Sequence, residues 1–260
     1  MNVSLCLNLI EPDKLAGIES GGELRNPRTL GHKPTARHRF LCEMAGALEG
    51  ESVLDLGCGF GWFAKYAVEQ GCKRVVGVDL DERLIERARR EAPGAEFLLQ
   101  DATEIPASIG EFGVVSMFDF LEHLSSLELV DVMRRVNKLL EAKGRLLISV
   151  PYRSFLSNTL DPALFFGHRH YSIKDLEKIL GSTGFKVSIV VYAGGLWEQL
   201  SLIWLYIFKW VFHREMPFAD FFERKRSAEY EAFQRKPGRK AYVTMFLEAV
   251  IEDQTWACGT

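Results

Sequence analysis

The chain has 260 residues, of which 47% are hydrophobic and 26% charged. That is ordinary globular composition, which excludes a disordered, collagen-like or disulfide-scaffold chain. Its 32 Lys and Arg oppose 35 Asp and Glu, and the formal charge of −3 excludes a domain-wide basic field for nucleic acid. The five cysteines (Cys6, Cys42, Cys58, Cys72 and Cys258) are odd in number and form no CxxC pair. Neither a zinc site nor a disulfide framework is expected, and a reducing, cytoplasmic setting fits.

In chain order, residues 1–35 are poorly periodic and read as an N-terminal arm, with Asn26-Pro27 inside it. Glu11 and Asp13 break any signal-peptide pattern. A short amphipathic helix is expected from Ala36 to Leu48. A buried strand follows at Ser52 to Leu56, then a glycine turn and a helix from Trp62 to Gln70. Further strands are expected at Arg74 to Asp79, Glu96 to Gln100, Phe112 to Phe118 and Arg145 to Val150. Helices separate them at Glu82 to Glu91 and at Leu127 to Glu141, the second stopped by Gly144. A helix at Ile173 to Leu180 begins at Ser172, with Asp175 completing an approximate capping box. Strands at Phe185 to Tyr192 and Ala241 to Ile251 close the domain, and residues 236–239 read as a turn. Strands alternating with helices argue for a parallel sheet covered on both faces. The domain occupies 36–193 and 241–260, with 194–240 as an insertion.

The sharpest signal is Val53-Leu54-Asp55-Leu56-Gly57-Cys58-Gly59-Phe60-Gly61. Glycine is required where the backbone takes positive φ or approaches a ligand closely, and the helix beyond offers free N–H groups. The spacing is GxGxG. Trp62 stands where a dinucleotide fingerprint has its third glycine, which weakens a pyrophosphate reading. Asp55 places a carboxylate in the turn, better suited to a cation. Asp79 ends the second strand, twenty residues beyond Gly59, where an acid can accept ribose hydroxyls. Asp101 ends the third strand. Three strand ends thus present carboxylates on one rim.

The pieces VLDLGCGFG, GVDLDERLIERAR, LLQDATEIP, VVSMFDFLEHL and GRLLISVP, in this order, resemble the class I S-adenosylmethionine-dependent methyltransferases. The nearest branch contains quinone-biosynthesis and other small-molecule O-methyltransferases. The resemblance implies an α/β, Rossmann-like, seven-stranded, mostly parallel sheet with an antiparallel last strand. It implies S-adenosylmethionine as cofactor, with Asp79 at the ribose, Asp101 at the adenine and the Gly57–Gly61 turn beneath the methionine part. Asp55, Leu56, Cys58, Leu80, Ala102 and Phe118 complete the implied cofactor set.

After the fourth strand, Asp119, Glu122 and His123 are spaced i, i+3, i+4 and would share one face of a helical turn. Three roles stand for them. They could cap the next helix or orient the loop, His123 could act as general base, or the three could hold a divalent cation; no metal is assigned. His168 and His170 border the expected active-site mouth, as substrate contacts or as loop-packing residues, and two histidines alone make a poor metal site.

The insertion carries an aromatic, apolar stretch at 196–212 with basic neighbours, too short to span a bilayer. It can be a lid over a hydrophobic pocket, a packed helix, a peripheral membrane contact or a dimer contact. The expected activity is methyl transfer to a hydroxyl or amine of a small, apolar or lipid-linked acceptor. Protein or nucleic-acid methylation and a non-catalytic binding module are the rival readings. Residues 116–119 read Ser-Met-Phe-Asp, not the Asn/Asp-Pro-Pro-aromatic motif of base-methylating enzymes.

Overall fold

A computed structural model describes residues 34–154, 169–235, 241 and 243–252. Nearly all of the expected arm, His168 and the turn at 236–239 lie outside the described residues.

The first helix, α1 (Ala36–Met44), leads into β1 (Ser52–Leu56), whose five residues are all buried. Such a strand must be covered on both faces. Then come α2 (Trp62–Glu69), β2 (Arg74–Asp79), α3 (Glu82–Glu91), β3 (Glu96–Leu99) and β4 (Phe112–Phe118). Next are α4 (Ser126–Leu139), β5 (Leu140–Pro151), α5 (Ile173–Ser182), β6 (Phe185–Ala193), α6 (Leu196–Trp210), α7 (Ala219–Arg235) and β7 (Thr244–Ile251). The sheet has seven strands in the order β3-β2-β1-β4-β5-β7-β6. β1 to β5 run parallel, and β7 is antiparallel to both β5 and β6. The expected α/β sheet with its antiparallel last strand is therefore observed.

Alternation along the strands divides the core into two layers. Val53, Val75 and Val114 face one side, with Phe40, Phe63 and Ile85. Leu54, Val76 and Val115 face the other, with Met133, Leu176 and Leu180. Local chemistry starts the helices where the sequence suggests. Asp81 caps α3 by accepting from the Arg83 N–H at 2.9 Å. Reciprocal capping boxes open α4 (Ser125 with Glu128) and α5 (Ser172 with Asp175).

Several boundaries differ from expectation, among them the start of β7, which is Thr244 and not Ala241; two of the others have a clear cause. α1 stops at Met44, because Gly46 turns the chain at φ 65°. Gly144 does not end α4. That helix ends at Leu139, and β5 begins at once, runs through Gly144 and pairs Leu140 with Phe112.

Between β6 and β7 the expected insertion folds as two helices. α7 packs on α1, burying Tyr230 and Phe233 beside Phe40 and Phe246, with Phe40 to Tyr230 ring centroids 5.3 Å apart. Among the described residues, no helix is long and apolar enough to cross a membrane.

Gly61 closes the turn before α2 at φ 79°, and a Cβ there would lie 2.9 Å from that of Ala88 in α3. Gly50 has a similar φ of 75° but open space around it. Gly61→Ala should therefore cost about 2–3 kcal/mol in urea unfolding, from backbone strain plus overpacking. Gly50→Ala should lose only the strain, about 1–2 kcal/mol. Equal losses would show that the contact with α3 does not matter.

Candidate functional site

The turn after β1 carries three left-handed glycines, Gly57, Gly59 and Gly61, with φ of 70°, 54° and 79°. Its N–H groups at Gly57 and Cys58 both donate to the Val78 carbonyl, at 2.9 and 3.0 Å, tying the turn to β2. The three glycines meet different surroundings. A Cβ at Gly57 would come within 2.5 Å of the Phe120 ring, and one at Gly61 would strike α3, but one at Gly59 has nothing within 4 Å. Protein packing thus accounts for two of them, and the third leaves room above the backbone.

Asp79 stands at the end of β2, with each carboxylate oxygen accepting one backbone N–H. Oδ2 accepts from Gly59 and Oδ1 from Asp81, both at 2.9 Å. These bonds fix the carboxylate beside the space over Gly59. At the end of β3, Asp101 takes both its bonds on Oδ1, from the Thr103 N–H and hydroxyl, each at 2.7 Å. This caps the short 3-10 turn that begins at Ala102, itself buried. Between the two acids the rim is apolar: Leu80 is 62% exposed, and Leu99, the β-partner of Asp79, is 49% exposed.

Asp55 is inside the sheet, only 2% exposed. Its Oδ1 accepts from the Ser116 hydroxyl at 2.7 Å, while buried Oδ2 has no hydrogen-bond partner among the described residues. Burial pushes this carboxyl up to about 7, against the pull of the Ser116 bond and with added repulsion from Asp79. Leu56 and Cys58 are buried supports of the turn, and burial pushes the Cys58 thiol up, so it is an inert packing group. Phe118 is also packed inward, stacked on Trp62 at 5.7 Å and edge-on to Phe63 at 4.9 Å.

Asp119, Glu122 and His123 do not share a face, which corrects the helical reading of that segment. Asp119 has φ 52°, so the chain reverses there before entering a 3-10 turn at Leu121–His123. Glu122 is then buried, whereas His123 is exposed. Among the described residues, no three His, Cys, Asp or Glu side chains are grouped to hold a metal ion. Asp119 is locked in place. Its N–H donates to the Ser149 carbonyl and hydroxyl, and its Oδ1 accepts from Ser149 Oγ and from Arg37. His170 is buried beside Tyr171, whose hydroxyl donates to the Leu121 carbonyl at 3.0 Å.

Arg37, His38, Glu198 and Tyr230 are the site neighbours that sequence reasoning missed. Burial opposes the charge of Arg37, yet Asp119, Tyr230, Glu198 and Glu122 hold its pKa above the usual guanidinium value. Glu198, at the start of α6, is 2% exposed and pairs with Arg226 of α7 at 3.5 Å. Glu223 of α7 accepts from the Ala36 N–H at 2.6 Å and from Arg39 and Arg226. Glu229 caps α6, accepting from Gly195, Trp197 and Glu198. The insertion is thereby latched to α1. His38 lies 4.5 Å from the Trp62 ring, and burial pushes it down to about 4, so it is neutral. None of these four sits in a recognisable motif.

The Asp55 shift has a definite sign. The folded protein keeps this proton to about pH 7, whereas the unfolded chain releases it near 3.8. Its contribution to stability is complete below about pH 4, is lost as pH rises through about 7, and is on the order of 4 kcal/mol. In urea unfolding at pH 5 and 8, Asp55→Asn should gain on the wild type as pH rises. Parallel profiles would overturn the shift.

The chain's relatives agree with this architecture. The Methyltransferase domain family model matches residues 31–188. A protein of Mycolicibacterium smegmatis named as a probable S-adenosylmethionine-dependent methyltransferase is 30% identical over 154 residues, covering 58% of each chain. Phosphoethanolamine N-methyltransferase 3 of Arabidopsis thaliana is 30% identical over 180 residues, covering 65% of this chain but 36% of its own. The chain thus spans less than two thirds of the length of these curated relatives. A TehB-like SAM-dependent methyltransferase from Corynebacterium glutamicum shares the fold, with a TM-score of 0.56 and 18% identity over 91% of this chain and 99% of its own. With the seven-stranded sheet and its open glycine turn, and a family match over more than half its length, the chain belongs to the methyltransferase domain family.

Proposed function

We propose that the chain binds S-adenosylmethionine and transfers its methyl group to a hydroxyl or amine of a small, apolar or lipid-linked acceptor. The observation that carries the cofactor is the carboxylate of Asp79 at the end of β2, held by the Gly59 N–H beside the open space at that glycine. The residues fit the group. Asp79 keeps lone pairs for two ribose hydroxyls even with its backbone bonds made. The exposed Leu80 and Leu99 offer apolar surface to an adenine face, and Asp101 stands beside them. Asp55 supplies a buried carboxylate with an unsatisfied oxygen, which a nearby cation stabilises in its charged form.

The bound group supplies a methyl carbon activated by a sulfonium. The chain's part is to orient the acceptor and keep water out, for which positioning and desolvation count for more than a strong base. Asp119 is bound by Arg37 and Ser149, so it holds its surroundings in place. His123, exposed beyond β4, is the group that can take a proton from a hydroxyl acceptor. The acceptor class is read from the insertion, whose first helix is rich in apolar and aromatic residues.

Calorimetric titration tests this reading. S-adenosylmethionine and S-adenosylhomocysteine should bind, and NAD should not. Asp79→Ala should weaken binding by about 1.5–3 kcal/mol, the value of a charge-assisted hydrogen bond. His123→Ala should leave binding intact and lower turnover. Folded protein that binds neither sulfur compound would sink the proposal.

A further inference from the structure

The neighbours of His38 locate its proton. Thr35 caps α1, and His38 stands at the third helical position, where a capping box ordinarily has Glu or Gln. The Thr35 N–H donates to His38 Nδ1 at 2.9 Å, and the Thr35 hydroxyl lies 3.1 Å from the same nitrogen. A backbone N–H can only donate, so Nδ1 is the bare nitrogen of the ring. Burial keeps the imidazole neutral, with Asp119 and Glu223 favouring the charge and Arg37 and Arg226 opposing it. A neutral ring with a bare Nδ1 carries its proton on Nε2. Nε2–H is therefore a fixed donor, and it makes no hydrogen bond among the described residues.

The ring stands at the glycine turn. Its centroid is 4.5 Å from that of Trp62, the first residue of α2, and it meets the Phe60 ring edge-on at 6.3 Å. Those two side chains flank Gly61 and follow directly on Gly59. The adjacent cation, Arg37, is not free to serve the turn, because its guanidinium is bound to Asp119. The position along the sheet matters too. Leu99 ends β3, Asp79 ends β2, and β1, which leads into the turn, is next in order. With an adenine against Leu99 and a ribose on Asp79, the amino-acid end of S-adenosylmethionine extends toward the β1 turn. That end carries a carboxylate, which needs donors.

We propose that His38 binds the carboxylate of S-adenosylmethionine through its Nε2–H. This rests on the cofactor reading given above. The two groups are complementary, since an ionised carboxylate only accepts and the capped imidazole can only donate at Nε2. A hydrogen bond to an ionised acceptor is also among the stronger ones. Keeping the donor neutral has a further effect. An imidazolium would repel the sulfonium of the same ligand, whereas a neutral ring recognises the carboxylate without that repulsion. His38 is thereby a binding residue and not a general base near neutral pH, because Nδ1 is engaged by Thr35 and Nε2 already holds its proton.

The test is calorimetry of the full chain near neutral pH with S-adenosylmethionine and with its decarboxylated form, which lacks only the carboxylate. His38→Asn keeps an acceptor for the Thr35 cap, and His38→Phe keeps a ring against Trp62. Neither has an N–H that reaches as far as Nε2. Both should bind S-adenosylmethionine about tenfold or more weakly, the value of a hydrogen bond to a charged group, and bind the decarboxylated form as the wild type does. His38→Gln, whose amide N–H reaches the Nε2 position, should recover part of the loss. Equal losses on both ligands, or no loss, overturn the proposal. Nitrogen-15 NMR of the wild type decides the matter even if the variants do not fold. It should find the His38 proton on Nε2 and see that resonance move on addition of S-adenosylmethionine. A proton on Nδ1, or an Nε2 resonance that does not move, overturns the assignment. A wild type that binds both ligands alike loses only the role of His38, whereas one that binds neither loses the cofactor reading and the role of His38 with it.

Discussion

The attachment of the glycine turn to β2 is the interaction on which the site depends. One carbonyl, that of Val78, receives the N–H groups of Gly57 and Cys58, and the next residue's carboxylate receives that of Gly59. Three donors that would otherwise point into the site are thereby satisfied by the neighbouring strand. The turn can follow this course only with positive φ at alternate residues, hence the glycines. Phe120 fills the space left by Gly57 and Ala88 that left by Gly61, so the turn is gripped from both sides. Gly59, between them, is the one place where the backbone is left bare. The same bonds orient Asp79, so turn and acid form a single preorganised unit.

A second constraint comes from buried charge. Arg37, Glu198 and Arg226 lie where α1, the segment after β4 and the insertion meet. Removing charges from water is costly unless each finds partners, and the loss of one partner strands the other. Glu223 and Glu229 extend the network to the backbone ends of α1 and α6. The insertion is therefore fixed by ionic contacts near the site and by Tyr230 and Phe233 in the core.

Much of the fold was legible in the sequence because the elements that build it are locally consistent. β1, β2, β4 and α3 have the boundaries their apolar runs and caps imply, and the Ser172–Asp175 capping box opens α5 as expected. Where local signals conflicted, the reading failed. Gly144 resembles a helix stop, but pairing of β5 with β4 and β7 carries the strand through it. The spacing of Asp119, Glu122 and His123 resembles a helical face, but the positive φ at Asp119, held by Ser149, breaks the helix before it starts. Arg37 and Asp119 are 82 residues apart, and no periodicity links them. The glycine turn was legible because its signal is concentrated in one short stretch of chain. The buried cluster of Arg37, Glu198 and Arg226 was not, because it is assembled from distant helices.

The buried charges of the domain also differ in balance. Inside the sheet, Asp55 keeps a buried oxygen without a hydrogen-bond partner among the described residues, and its proton is retained to about pH 7. A positive charge close by would favour the carboxylate and recover part of the desolvation cost. Where α1 and the insertion meet, Arg37 already faces Asp119 and Glu198, and Arg226 faces Glu198 and Glu223. A further charged group entering there would have to displace one of these pairs and leave its partner stranded in low dielectric. The one buried charge is open to a counter-charge and the other cluster is already closed on itself, so the two respond oppositely to the same ion.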